Sequence, residues 1–297
     1  MKTTEIRIRD PFVIPVEKER AYFLFGTTDV NCWGGKGGGF DCFRSSDLLE
    51  WEGPFPVFRP LSTFWATMHF WAPEVHRFNG RFYMFASFKA DKRYRGTQIL
   101  VSDSVSGPYE PLTDGPITPP DWECLDGTLY VNRRGNPWIV FCHEWVQVHN
   151  GAIYAMPLSP DLKRPVGRPF FLFNATEGPW VWRPEWPAEG SQYRFPTYVT
   201  DGPFLHRLAG GALLMLWSSI GVSGYAMGVA RSQGGEITGP WIQEPEPLWA
   251  KDGGHGMIFR TFDARLMLTF HSPNNSPAER PRFVEIEEVG DGIRIMT

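Results

Sequence analysis

The chain has 297 residues, a formal net charge of −4, 42% hydrophobic and 21% charged residues, a composition that excludes disorder and supports a sizeable core. Its basic residues fall in small clusters (Arg7/Arg9, Lys92/Arg93/Arg95, Arg133/Arg134), so no basic track for nucleic acid is expected. No apolar run approaches membrane-spanning length, so no membrane partner is expected.

Residues 1–9 lack the apolar core of a signal peptide, and the expected address is the cytoplasm. From there a unit recurs: a short polar head, an apolar strand, a turn and a second apolar strand. The first head is Asp10-Pro11-Phe12-Val13, with a second strand over 21–26 and a closing Glu52-Gly53-Pro54-Phe55. The second is Ala72-Pro73-Glu74-Val75, followed by an Asn79-Gly80 turn, strands over 81–86 and 96–102, and Ser106-Gly107-Pro108-Tyr109. Asp126-Gly127-Thr128-Leu129 opens the third, with strands over 137–142 and 151–156. Asp201-Gly202-Pro203-Phe204 opens the fourth, with strands over 212–217 and 224–232 and a closing Thr238-Gly239-Pro240-Trp241. His255-Gly256-Met257-Ile258 opens the fifth, with a strand over 265–270. Asn79-Gly80, Arg134-Gly135-Asn136 and Gly210-Gly211 suit hairpins that need positive φ.

With Asp10, Ala72, Asp126, Asp201 and His255 taken as equivalent, the spacings are 62, 54, 75 and 54 residues. A four-stranded propeller blade needs about 40–50 residues, and the surplus fits loop insertions, notably over 180–195. The fold class read from this repeat is all-β, a single five-bladed β-propeller over residues 1–297. Cys32, Cys42, Cys124 and Cys142 show neither a C-x-x-C pair nor metal-ligand spacing, and buried free thiols are expected. The 13 Trp, 23 Phe and 9 Tyr are more than an ordinary domain carries; they suit a dense β core, with a few aromatic faces left for sugar rings.

A propeller brings the leading residue of each innermost strand to one mouth of its channel. Asp10, Asp126 and Asp201 therefore converge on one cavity, where burial and mutual repulsion separate their pKa values into an acid and a base. Trp71, just before the second head, reads as a face for stacking on a sugar or as core packing, and His69 as a hydrogen-bond partner of a sugar. Glu74 is assigned to the pocket wall. Glu144, in His143-Glu144-Trp145 at the end of an apolar strand, reads as a substrate contact, a substitute acid or a structural ion pair. Glu177-Gly178-Pro179-Trp180 lacks a following strand and reads as a loop.

The ordered set Arg9-Asp10-Pro11-Phe12, Trp71-Ala72-Pro73-Glu74-Val75, Leu125-Asp126-Gly127-Thr128-Leu129-Tyr130, Asp201-Gly202-Pro203-Phe204 and Gly254-His255-Gly256 resembles glycoside hydrolase family 43 over essentially the whole chain. The resemblance implies a five-bladed propeller and an inverting glycosidase of the arabinofuranosidase, xylosidase or arabinanase type. It implies Asp10 as general base, Asp126 as the auxiliary carboxylate and Asp201 at the position of the general acid. It places His255 beside a channel-bound structural calcium or its waters, with no cofactor required for the chemistry. It also implies a pocket arginine on blade 4, for which Arg231 is the choice. One position departs from the pattern: the acid is glutamate in a Glu-Gly-Pro setting in the family, and Asp201 is one methylene shorter. The expectation is an exo-acting enzyme releasing arabinofuranosyl or xylosyl residues from plant-derived oligosaccharides; the alternative is a glycan-binding propeller impaired by the shorter acid. A phosphorolytic enzyme would need a basic cluster at the heads, and none is present there.

Overall fold

Every head opens a four-stranded antiparallel sheet in the computed structural model, which describes residues 1–183, 185 and 195–296. Blade 1 holds β1 (Arg9–Val16), β2 (Ala21–Thr27), β3 (Phe40–Ser45) and β4 (Glu52–Phe58). Blade 2 holds β5 (Met68–Phe78), β6 (Arg81–Lys89), β7 (Gly96–Ser102) and β8 (Glu110–Pro111). Blade 3 holds β9 (Cys124–Val131), β10 (Pro137–His143), β11 (Ala152–Pro157) and β12 (Phe170–Asn174). Blade 4 holds β13 (Asp201–Arg207), β14 (Leu213–Gly221), β15 (Gly224–Ser232) and β16 (Trp241–Gln243). Blade 5 holds β17 (Gly254–Arg260), β18 (Leu266–Ser272), β19 (Arg280–Val289) and β20 (Gly292–Ile295). The innermost strands touch in sequence, and β17 returns to β1, so the sheets close into a five-bladed propeller. Of the insertion over 180–195, residues 184 and 186–194 lie outside the described residues.

The core lies between blades, because each sheet is covered on both faces. One apolar cluster joins blades 5, 1 and 2, and three others fill the 2–3, 3–4 and 4–5 interfaces. The aromatic content is mostly spent here. Phe40, Phe58, Phe64, Phe70 and Phe88 interlock between blades 1 and 2, with Phe70 and Phe88 centroids 4.9 Å apart and edge-to-face. All four cysteines are buried and free. The hairpins turn at left-handed residues: Asn79 and Gly80, Gly135, and Gly211, with φ of 46°, 84°, 80° and 93°.

The innermost strands share a bulge that positions the site. Arg9 pairs with Thr27, but the next pair is Phe12 with Phe25, leaving Asp10 and Pro11 out of register. The same two-residue skip falls at Ala72-Pro73, Asp126-Gly127, Gly202-Pro203 and His255-Gly256. The first residue of each bulge is left-handed: Asp10, Ala72, Asp126, Gly202 and His255 have φ of 53°, 46°, 54°, 52° and 53°. Bulges of this kind re-aim side chains at sheet rims. They also correct the sequence alignment by one residue. Gly202, not Asp201, is the equivalent of Asp10, Asp126 and His255; Asp201 is equivalent to Arg9, Trp71, Leu125 and Gly254.

Candidate active site

The bulges divide the side chains into two layers of one pocket. The bulge residues Asp10, Asp126 and His255 meet near the axis, where His255 Nδ1 lies 3.2 Å from Asp10 Oδ1 and 3.7 Å from Asp126 Oδ2. The residues just before the bulges, Arg9, Trp71, Leu125 and Asp201, form the wall. The cavity is ≈ 240 Å³, and Trp33, Tyr225, Trp145 and Asn274 complete much of its lining.

Each carboxylate has a different surrounding. Asp10 Oδ2 accepts a 2.7 Å hydrogen bond from Thr27 Oγ1. Burial opposes its ionisation, but the His255 and Arg9 charges and the Thr27 hydroxyl outweigh burial and hold it below the usual carboxylate range. Asp126 moves the other way: burial, then the Asp10 charge, push it well up, although its Oδ2 accepts a 3.0 Å bond from the Gly202 N–H. Asp201 is pushed up to about 7, by burial first and then by Asp126, against a 3.1 Å hydrogen bond from the Tyr225 hydroxyl. The pocket thus holds one carboxylate that stays charged, Asp10, and two, Asp126 and Asp201, that burial shifts toward the protonated form.

Arg9 braces the charged side. Its guanidinium bonds Glu279 at 3.2 Å and Asn274 Oδ1 at 2.7 Å, and lies 4.8 Å from the centroid of the Trp33 ring. Glu279 is fully buried, whereas Trp33 is 54% exposed at the pocket rim. His271 Nδ1 accepts the Asp10 N–H at 3.1 Å, so its proton sits on Nε2, facing Asn274 Oδ1 at 3.2 Å. Burial holds His271 down at about 4, so the ring stays neutral at neutral pH.

Trp71 lines the pocket. Its indole N–H donates to Cys32 O at 2.6 Å, and its ring meets Trp33 edge-on at 5.3 Å. Glu144 is also in the wall, buried and ion-paired to Arg95, whose guanidinium lies 4.3 Å from the Trp71 ring centroid. Burial raises the Glu144 carboxyl, with the Arg95 charge working against it.

Three assignments change. His69 stacks on Trp71 at 4.4 Å and bonds Trp33 O at 3.0 Å and Arg95 at 2.9 Å, so it buttresses the wall without lining the pocket. Glu74 is carried past the mouth by the Ala72-Pro73 bulge and bonds His76 at 3.1 Å, between Phe12 of blade 1 and Thr128 of blade 3. Arg231 is absent from the pocket because β15 runs away from the mouth: it pairs with Leu214 and lies 4.0 Å from Glu244. Among the described residues, the arginine lining the pocket is Arg9. Glu177 ends a 3-10 turn, bonded back to the Asn174 N–H at 2.9 Å.

Around His255 the described side chains would supply only part of a calcium shell, and water would have to complete it. Calcium takes about six to eight oxygen ligands. His255 Nε2 is buried without a partner among the described residues, and no group of three His, Cys, Asp or Glu side chains there is arranged to hold a metal.

The sequence reading missed Thr27, Trp33, Tyr225, His271 and Asn274. It also misplaced the blade 4 head, although a signal existed. Proline fills the second bulge position in blades 1, 2 and 4 (Pro11, Pro73, Pro203), and aligning on it sets Gly202 against Asp10.

A five-bladed propeller with Asp10, Asp126 and Asp201 lining its axial pocket fits a glycoside hydrolase. The chain belongs to the glycosyl hydrolases family 43, whose model matches residues 3–289. It is 41% identical to the solved endo-arabinase from Bacteroides thetaiotaomicron VPI-5482, covering 98% of each chain with a TM-score of 0.88. A thermostable family-43 glycoside hydrolase shares the fold at 22% identity and a TM-score of 0.80, covering 98% of this chain and 93% of its own. Among curated proteins, the extracellular exo-α-(1→5)-L-arabinofuranosidase ArbA of Cellvibrio japonicus (strain Ueda107) is 22% identical over 86% of this chain and 72% of its own.

Proposed function

We propose that the protein is an inverting, exo-acting glycosidase that releases arabinofuranosyl or xylosyl residues from plant-derived oligosaccharides. The observation that carries this reading is the split between Asp10, held low, and Asp201, raised to about 7, across one small pocket. Asp10 accepts a proton from a water as that water bonds the anomeric carbon. The glycosidic C–O bond breaks on the opposite face, and the Asp201 proton passes to the leaving oxygen. Asp126, buried beside Asp201, makes a second negative charge there unfavourable, so these two carboxyls hold protons that Asp10 does not. Glu144 is the weaker acid candidate, because Arg95 already occupies its carboxylate.

The volume of ≈ 240 Å³ supports exo action. It falls below the about 300–1,000 Å³ of drug-sized ligand pockets and suits one sugar ring, with Trp33 and Trp71 as apolar faces. The similarity to the B. thetaiotaomicron endo-arabinase favours a second reading, internal cleavage of arabinan.

A screen of nitrophenyl glycosides, with the first-formed anomer followed by NMR, tests both glycone and stereochemistry. The expected result is turnover of an arabinofuranoside or xyloside with inversion, lowered about 10²–10⁴-fold in Asp10→Ala. On linear arabino-oligosaccharides, exo action gives monosaccharide from the first time point, whereas internal cleavage gives mixed oligomers. Retention of configuration would overturn the mechanism.

A further inference from the structure

The five bulges are tied to one another by a ring of hydrogen bonds. In four of the five blades the side chain opposite the pre-bulge residue, at the end of the second strand, accepts the bulge N–H of the next blade. The Ala72 N–H donates to Thr27 Oγ1 at 2.8 Å, Asp126 to Ser87 Oγ at 2.9 Å, His255 to Ser218 Oγ at 2.8 Å and Asp10 to His271 Nδ1 at 3.1 Å. Between blades 3 and 4 the equivalent residue is Cys142, a poor acceptor, and the Gly202 N–H goes to Asp126 Oδ2 instead.

Thr27 has a second partner that the other hydroxyls lack. A backbone N–H only donates, so Thr27 Oγ1 is the acceptor toward Ala72, and its single proton is left for Asp10 Oδ2, 2.7 Å away. Thr27 is 1% exposed, so water does not compete for that proton. Ala72 brings no side-chain chemistry to the mouth, yet it holds the same left-handed φ as the catalytic heads. Its N–H has a use: it sets the direction in which Thr27 donates.

We infer that Thr27, oriented by the Ala72 N–H of the neighbouring blade, is a positioning residue that fixes the carboxylate of Asp10 for proton abstraction. The inference rests on Asp10 acting as the base. Blade 2, which contributes no acid or base to the pocket, thereby acts on the base of blade 1. The other groups facing Asp10 are Arg9 on its own strand, Cys32 of blade 1, His255 and His271 from blade 5, Asp126 from blade 3 and Tyr225 from blade 4.

The test measures kcat, KM and the pH profile of Thr27→Val, Thr27→Ser and Asp10→Ala on the nitrophenyl substrate, with thermal melts alongside. In Thr27→Val, kcat is expected to fall about 10–100-fold with KM nearly unchanged. The acidic limb should rise by about one pH unit, because the ionised base loses a hydrogen bond. Thr27→Ser should restore both. Thr27→Ala gives the same readout if valine crowds the strand. A Thr27→Val with wild-type kcat and acidic limb overturns the inference, as does a loss that Thr27→Ser does not restore. Asp10→Ala separates the two levels: full activity there overturns the base assignment itself, whereas an inactive Asp10→Ala beside a wild-type Thr27→Val overturns only the positioning role.

Discussion

Asp201 keeps a carboxyl where the family pattern has a longer one, and its surroundings give that carboxyl an acid's protonation. Burial is the main cause, followed by the neighbouring Asp126 charge, and together they bring it to about 7. The Tyr225 hydroxyl opposes them by donating to Oδ2. Tyr225→Phe removes a bond that favours the ionised form. The alkaline limb of activity should therefore move to higher pH, by about one unit, measured as kcat/KM against pH. The same shift has a consequence for folding. A raised carboxyl favours the native state below its unfolded value, and that advantage is lost as pH climbs through about 7. Asp10, shifted downward, has the opposite sign: its contribution is present above the unfolded value and fades as pH falls.

At the scale of the strands, much was legible in the sequence. The apolar runs over 81–86 and 137–142 begin where β6 and β10 begin, since β-branched and aromatic residues bounded by Asn-Gly or Gly-Asn turns leave little choice. What the runs do not reveal is the bulge. Asp201-Gly202-Pro203 reads as another aspartate head like Asp10-Pro11, although the left-handed residue is Gly202 in one and Asp10 in the other. Only glycine is comfortable at position 202: its φ is +52°, and an added Cβ would lie 2.7 Å from the His255 ring. The one-residue offset moves Asp201 from the axis to the wall, which separates acid from base. The same limit explains Arg231 and Glu74. Which end of a strand reaches the mouth follows from hairpin direction, and which face a residue takes follows from register, which a bulge resets. Thr27 and His271 escaped notice because their contacts depend on register and on neighbouring blades: Thr27 meets Asp10 across its own hairpin and Ala72 of blade 2, and His271 meets the Asp10 N–H of blade 1.

For the whole ring, the seam between blades 5 and 1 is closed by side chains. Blade 5 is built wholly from residues 254–295, so no strand from the start of the chain completes it. Ile6, Ile8 and Phe12 share a core cluster with Met257, Phe259 and Met267. Beside them, Arg9 pairs with the fully buried Glu279. Removing one partner of such a pair strands a buried charge. Glu279→Ala should cost about 3–5 kcal/mol of stability, read by denaturant unfolding. It should also lower activity, because the same guanidinium faces Asp10 and braces Trp33.

The division of labour between Asp10 and Asp201 is most directly tested by the pH dependence of kcat/KM for the wild type and Asp201→Asn on the best aryl glycoside. The account predicts a wild-type alkaline limb near pH 7, and an Asp201→Asn whose remaining activity is at least about 100-fold lower and lacks that limb. An Asp201→Asn that keeps the wild-type rate and the same limb would contradict it, and would move the proton to another group.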